Sequence, residues 1–324
     1  MTSDRRRVLV VGASGFIGRG VVSALSSAGH TVSTLPGPRL APMPASAAAS
    51  FIASSPLVHE LASTFSDVDA VVNAAGNPDA SETHADALIS PNAVLPGLLA
   101  AACRAADPSP RLVHISSAVV QGRASELDAS RRTEAFSGYA RSKILGETLA
   151  LQHAPESTVV YRPPSVHALD RRVTRMIGAV ARSPLATVAR PGSSPSPQAL
   201  LPNVASAIAF LATCPQPPPA VVTHPSEGLT TSSLMRALGG RRPRELPRWL
   251  ARAGVVAVSA AGKLSPGLAA NARRVELLWF GQSQAPSWLT QAGWAAPFGA
   301  EAWARLGLQL QSGQTAVQPR EGAE

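Results

Sequence analysis

The stretch from Val8 to Gly18 leaves this chain few folds to choose from. Val8-Leu9-Val10-Val11 is an apolar, mostly β-branched run; Gly12, Gly15 and Gly18 follow in a GxxGxxG spacing, and Val21, Val22 and Leu25 then recur at helical intervals. That order reads as strand, tight turn, helix. A turn of this kind aims backbone N–H groups and the positive end of a helix dipole at an anion. Gly12 is expected in a backbone conformation closed to other residues, Gly15 where the main chain meets phosphate oxygens, and Gly18 where the helix packs on its strand. Ser14, Phe16 and Ile17 belong to the same turn. The expected ligand is a dinucleotide.

The segment that follows bears on which dinucleotide. After Gly29-His30 a second strand is expected over Thr31 to Leu35, and in NAD-binding folds an acid near its end accepts hydrogen bonds from the adenosine ribose. Here Pro36 holds that place, and no Asp or Glu occurs from Arg19 to His59. Arg39 and Arg19 are the nearest charges and suit a 2′-phosphate, so NADP(H) is expected over NAD(H). Residues 36 to 50, rich in Pro, Ala and Ser, read as an irregular loop.

A helix around Pro56 to Phe65, a short buried strand over Ala70 to Val72, a helix over Ala93 to Ala106 and a strand over Arg111 to Ile115 continue the alternation. The strands run into small or polar residues: Asn73-Ala74-Ala75-Gly76 after one, Ser116-Ser117 after the other. The fold expected is α/β, a Rossmann-type doubly wound parallel sheet with a smaller C-terminal α/β substrate domain. Asn73, Ala74, Ala75 and Gly76 would let a cofactor lie across the strand end, with Asn92 opening or lying within the next helix.

Tyr139 and Lys143 are four apart and would share a helix face. A phenol titrates near pH 10 and transfers protons poorly at neutrality unless its anion is stabilised; a neighbouring ammonium does that. The position of Lys143 is informative because Lys263 is the only other lysine among 29 basic residues.

Taken with Gly122, Ile115-Ser116-Ser117, Asn92 and Arg162-Pro163 after a strand at Thr158 to Tyr161, these motifs resemble the extended short-chain dehydrogenase/reductase family, the NAD-dependent epimerase/dehydratase group. The resemblance implies a Ser/Tyr/Lys group: Ser117 hydrogen-bonding a substrate oxygen, Tyr139 as general acid or base, Lys143 holding the nicotinamide ribose and lowering the tyrosine pKa. Arg162 and Pro163 would adjoin the cofactor, and Asn77, His167 and Arg190 would join Ser117 in contacting substrate. Where dehydrating members carry Asp-Glu after the catalytic Ser or Thr, this chain has Ala118-Val119, which disfavours dehydration. The arginine that often binds a nucleotide-sugar diphosphate appears as Ser196. Arg175 and Arg190 are the substitutes at hand, and a packed His167 is the plainer reading of that residue.

The function expected is NAD(P)(H)-dependent hydride transfer between nicotinamide and a ketone or secondary alcohol of a sugar-like, polyhydroxylated or cyclic substrate. The alternatives are a sugar epimerase that retains its cofactor and a non-catalytic cofactor-sensing protein. The dinucleotide-binding domain is expected over 1–165, with 199–225 completing its sheet through a helix over Asn203 to Thr213 and a strand over Ala220 to Thr223. Residues 166–198 and 226–312 would form the substrate-binding portion, with helices at 173–182, Leu229 to Leu238 and Trp249 to Val258 and an aromatic tail from Trp288 to Trp294, and 313–324 would be a disordered tail.

Two cysteines, Cys103 and Cys214, support neither a disulfide framework nor zinc, and the seven histidines show no ligand spacing, so no metal is expected. The net charge of +9 comes from dispersed arginines without interleaved aromatics, which argues against nucleic acid. No uninterrupted apolar run approaches the ~20 residues of a membrane span. A cytoplasmic enzyme of small molecules is expected, with a homodimer compatible with this class.

Overall fold

The computed structural model describes residues 5–79, 82, 84–262 and 266–313. Lys263 and the tail from Thr315 lie outside them. In chain order the elements are β1 (Arg7–Val11), α1 (Phe16–Ser27), β2 (Thr31–Leu35), α2 (Ala48–Ser54), α3 (Leu57–Phe65), β3 (Ala70–Asn73), α4 (Ala85–Ile89), α5 (Leu95–Ala105), β4 (Arg111–Ile115), β5 (Glu126–Leu127), α6 (Gly138–His153) and β6 (Thr158–Arg162). There follow β7 (Ser165–His167), α7 (Arg172–Arg182), β8 (Thr187–Ala189), β9 (Gln198–Leu200), α8 (Leu201–Thr213), β10 (Val221–Thr223), α9 (Thr231–Gly239), β11 (Arg244–Leu246), α10 (Arg248–Gly262), α11 (Pro266–Phe280), β12 (Ser283–Gln284), α12 (Trp288–Gln291) and α13 (Ala300–Gln311).

Packing divides the chain into two compact units. The first comprises 1–164, 201–225 and 284–297. Its six-stranded sheet has the order β10-β6-β4-β3-β1-β2, and every pairing is parallel. A parallel sheet is covered on both faces, which is why β1, β3, β4 and β6 are buried along almost their whole length. Strand β1 pairs with β2 on one side and β3 on the other. The chain therefore leaves β1 in opposite directions across the sheet, and the crevice outside its carboxyl end is where such folds take ligands. The packing face of α1 buries Val21 and Leu25, while Leu9, Val11, Phe65, Val71, Leu99 and Leu112 form a core with Ala150 of α6.

Three expectations need correction within this unit. Residues 45–50 are not loop: a 3-10 turn at Ala45–Ala47 leads into α2, whose Ala48 and Ile52, four apart, are buried against Val94 and Leu98. The helix expected over Ala93 to Ala106 starts earlier, so that Asn92 lies within it, the second of its two expected placements. It runs continuously from Ala85, with a π-helical segment at Ser90–Val94 between α4 and α5. Finally, 284–297 belongs to this unit and not to the substrate portion. Ser287 Oγ donates to the Thr223 carbonyl at 2.5 Å, Trp294 Nε1 donates to Ser206 Oγ at 3.2 Å, and the Trp294 ring lies edge-on to His224. The helical run Ala85–Ala105 is long and apolar enough to cross a membrane, but with 78% of that window buried it serves as a core element here. Helix α8 is apolar and buried around most of its circumference.

The second unit comprises 165–200, 226–283 and 298–324. Two short parallel pairs, β7 with β9 and β8 with β11, join segments distant in sequence. Helices α7, α9 and α13 enclose a core of Ile177, Leu234, Leu238 and Trp303. Trp303 is wholly buried, and its indole N–H donates to Glu227 at 2.7 Å.

Candidate active site

The glycine turn adopts the geometry its spacing demands. Gly12 sits at φ +79°, and a Cβ there would stand 2.6 Å from the Ala75 amide nitrogen. At Gly18 a Cβ would come within 2.2 Å of the Gly12 carbonyl oxygen. Any side chain at either position would collide with the protein's own backbone, so these two glycines let the turn close on the end of β3 and let α1 pack tightly on the turn. The first turn of α1 carries no acidic side chain that would repel an anion. Arg19 Nη1 donates to the Ser14 carbonyl at 2.8 Å, placing a guanidinium beside the turn, and Arg39 is exposed on the loop after β2.

The ends of β1 and β3 meet at this turn, since Gly12 and Ala75 are in contact. Ala75 N–H donates to Asn73 Oδ1 at 3.2 Å, which orients the amide so that Nδ2 donates to His114 Nδ1, also at 3.2 Å. His114 stays neutral: burial, and then the charge of Lys143, hold its pKa well below the ordinary value. Asn92, buried completely within the π-helical segment, accepts the Asn77 N–H at Oδ1 (2.9 Å). Its Nδ2 donates to the Asn77 carbonyl (3.0 Å) and to Ser142 Oγ (3.1 Å). One amide thus fastens the strand-end loop to α6.

Helix α6 begins at Gly138 because Ser137 caps it, its Oγ accepting from Ala140 N–H at 3.1 Å. That start places Tyr139 in the first turn, half-buried, with Lys143 one turn later on the same face. Lys143 is buried, and its Nζ donates to the Ile115 carbonyl at 3.0 Å. Nζ also lies within 3.6 Å of where a Gly76 Cβ would stand, so the lysine and the glycine loop converge. Burial lowers the Lys143 pKa from 10.5 to about 8, against the opposing pull of Glu147. Ser117 follows β4 and caps a 3-10 turn at Ala118–Gln121, accepting from Val119 N–H at 3.3 Å. Helix α6 packs against that turn, and Ala118 N–H donates to the Pro163 carbonyl at 2.9 Å.

The predicted cofactor and Ser/Tyr/Lys residues therefore all fall in the first unit, with Asn77 among them. His167 and Arg190 fall in the second. His167 is wholly buried, with Nδ1 3.0 Å from Thr174 Oγ1, Nε2 2.7 Å from Gln198 Oε1, and its ring against Trp303; it packs a core and offers no nitrogen to a substrate. Arg190 is exposed and pairs with Glu245 at 3.6 Å. The Arg162 guanidinium is also engaged internally, by Glu147 and the Ser130 carbonyl. Glu147 escaped the sequence reading, because an acid four residues past a lysine on one helix face looks like an ordinary surface pair.

The glycine turn, the buried ammonium close to Gly76 and the phenol one turn before it all stand in the first unit, whose parallel sheet with flanking helices is of the Rossmann type. The family model described as NAD dependent epimerase/dehydratase family matches residues 8–190, and the chain belongs to that family. A nicotinamide cofactor comes with that membership. A curated relative, dTDP-4-dehydrorhamnose reductase of Mycolicibacterium smegmatis, is 30% identical over 160 residues, covering 48% of this chain and 44% of the relative. The chain thus matches less than half of that relative's length.

Two solved structures share the fold. Human epimerase family protein SDR39U1 with NADPH has 22% identity and a TM-score of 0.61, covering 94% of this chain and 98% of the other. The dTDP-4-dehydrorhamnose reductase of Bacillus anthracis in complex with NADP has 15% identity and a TM-score of 0.56, covering 76% and 85%.

Proposed function

We propose that this chain is an NAD(P)(H)-dependent oxidoreductase that interconverts a ketone and a secondary alcohol on a sugar-like substrate, with ketone reduction as its working direction. The observation that carries the reading is the placement of Lys143. It is buried one turn after Tyr139, bonded to the strand end that leads into Ser117, and adjacent to Gly76 of the cofactor loop.

When bound, a nicotinamide supplies the hydride for the carbonyl carbon. Ser117 donates a hydrogen bond to the carbonyl oxygen as negative charge develops there, and Tyr139 transfers its phenolic proton to the same oxygen. The Lys143 ammonium stabilises the phenolate that remains and, in the same position, donates to the nicotinamide ribose. Gly12, Gly15 and Gly18, with the N–H groups of the Ser14–Ile17 turn, hold the pyrophosphate; Asn73 to Gly76 and Asn92 shape the floor, with the Arg162-Pro163 backbone beyond. Ala118-Val119 lack the acid pair needed to expel a neighbouring hydroxyl, which favours reduction over dehydration, and a curated relative is named as a dTDP-4-dehydrorhamnose reductase. The acid-free run from Arg19 to His59, with Arg19 and Arg39 near the cradle, supports NADP(H) over NAD(H). The substrate is a small molecule, and nothing in the reading calls for nucleic acid or a membrane.

Tyr139→Phe removes the proton donor and leaves the cradle intact. Turnover with NADPH on a panel of keto-sugar nucleotides is expected to fall about 10²–10⁴-fold, with NADPH binding, read by its fluorescence, nearly unchanged. Near-normal turnover would reject the assignment. Stoichiometric oxidation of NADPH separates reduction from epimerisation, which would return the cofactor unchanged.

A further inference from the structure

Glu147 has no part in the chemistry above, yet it is one of the most enclosed charges in the first unit. Its side chain is 5% exposed, and that of its partner Arg162 is 1% exposed. Arg162 grips the carboxylate with both arms, Nε to Oε1 at 2.9 Å and Nη2 to Oε2 at 2.6 Å, while its remaining arm donates to the Ser130 carbonyl at 2.8 Å. Oε1 also accepts from Ser116 Oγ at 2.5 Å. Ser116 is the residue before Ser117, and its N–H donates to the Tyr161 carbonyl at 2.8 Å. Three elements therefore meet at one carboxylate: α6, which carries Tyr139 and Lys143; the end of β4, which leads into Ser117; and the end of β6.

We propose that Glu147 is a positioning residue for the reaction: it fixes α6, and with it Tyr139 and Lys143, in register with the strand end that carries Ser117. The proposal rests on the Ser117/Tyr139/Lys143 reading. The titratable groups that interact with the Lys143 ammonium are Glu147 on α6 and His114 on β4. His114 is neutral, so Glu147 is the anion that offsets burial of the ammonium. Burial of the pair is tolerable because every carboxylate oxygen is hydrogen-bonded.

Because the chain has only two lysines, the test can read Lys143 directly. Protein labelled with ¹³C-lysine gives two side-chain signals to titrate, assigned with a Lys263→Arg variant. Glu147→Gln alone strands the Arg162 guanidinium and endangers folding. The paired variant Glu147→Gln/Arg162→Met removes both charges at once, a replacement that buried pairs commonly tolerate. In that folded variant the Lys143 midpoint is expected at least one pH unit below the wild-type value, with NADPH affinity at neutral pH reduced about tenfold. Glu147→Asp, which keeps the charge, is expected to restore the midpoint. A midpoint unmoved in the paired variant overturns the proposal. Unreduced turnover in Tyr139→Phe would instead overturn the functional reading and leave the titration result standing.

Discussion

Lys143→Met should make the protein more stable at neutral pH and erase that advantage in alkali. Burial holds the folded-state pKa near 8 against an ordinary 10.5. Each pH unit of difference corresponds to about 1.4 kcal/mol, so the folded state bears about 3 kcal/mol for keeping this ammonium. The sign follows from proton counting. Below pH 8 the lysine is protonated in both states and the whole cost is present. Between the two values the unfolded chain binds more protons than the folded one, so wild-type stability rises with pH through that window. The methionine variant carries no proton and has no such rise. Its other differences, including the lost hydrogen bond to Ile115, do not depend on pH. Urea unfolding of both proteins from neutral pH to about pH 11 gives the difference at each pH, and groups common to both cancel. That difference is expected to move by about 3 kcal/mol in favour of wild type. A flat difference would refute the claim that burial lowers the Lys143 pKa. Such a cost at a site fits the trade of stability for function.

Two further outcomes follow from named contacts. Arg39→Ala should raise the KM for NADPH about tenfold, the worth of one charge-assisted hydrogen bond, and leave the KM for NADH in place; parallel steady-state kinetics with the two cofactors checks it, and equal changes in both count against a 2′-phosphate contact. Gly146→Ala would push a methyl to 2.1 Å from the Asn92 carbonyl oxygen, where α6 crosses the π-helical segment. Overpacking of this kind costs about 1–3 kcal/mol, so thermal melts should show a Tm several degrees lower, with turnover reduced because Tyr139 and Lys143 ride on the displaced helix; an unchanged Tm would mean the crossing is looser than the geometry states.

The parts of this fold legible from residues alone are those that local patterns encode. Val8–Val11 and Arg111–Ile115 read as strands because a strand covered on both faces needs a mostly apolar run. The glycine turn and the Tyr139/Lys143 pair read because the chemistry demands those residue types at fixed short spacings. Helix α2 was hidden by its small residues: alanine and serine next to four prolines look like loop, yet alanine is the best helix former, and burial of Ile52 decides the matter. The start of the Asn92 helix was hidden by Pro91, which reads as a first-turn residue. Inside a helix proline lacks an N–H and crowds the preceding turn; the local shift to π-helical bonding over Ser90–Val94 accommodates it. The second unit was least legible because its strands are three residues long and pair across tens of positions, as Thr187–Ala189 does with Arg244–Leu246.

Glu147 shows where local reading stops. Lysine and glutamate four apart on a helix look like a surface pair worth about 0.2–0.5 kcal/mol. Nothing within α6 says otherwise, because its polar and apolar residues are not segregated into a clean stripe. What turns the pair inward is behind it: Ser116, 31 positions away, and Arg162, 15 positions away, stand where the ends of β4 and β6 adjoin. The catalytic spacing is local because one helix turn brings a phenol and an ammonium together. The support of that spacing is non-local because a helix can be held in register only by something outside itself, and here that is a pair of strand ends fixed by the order of the sheet.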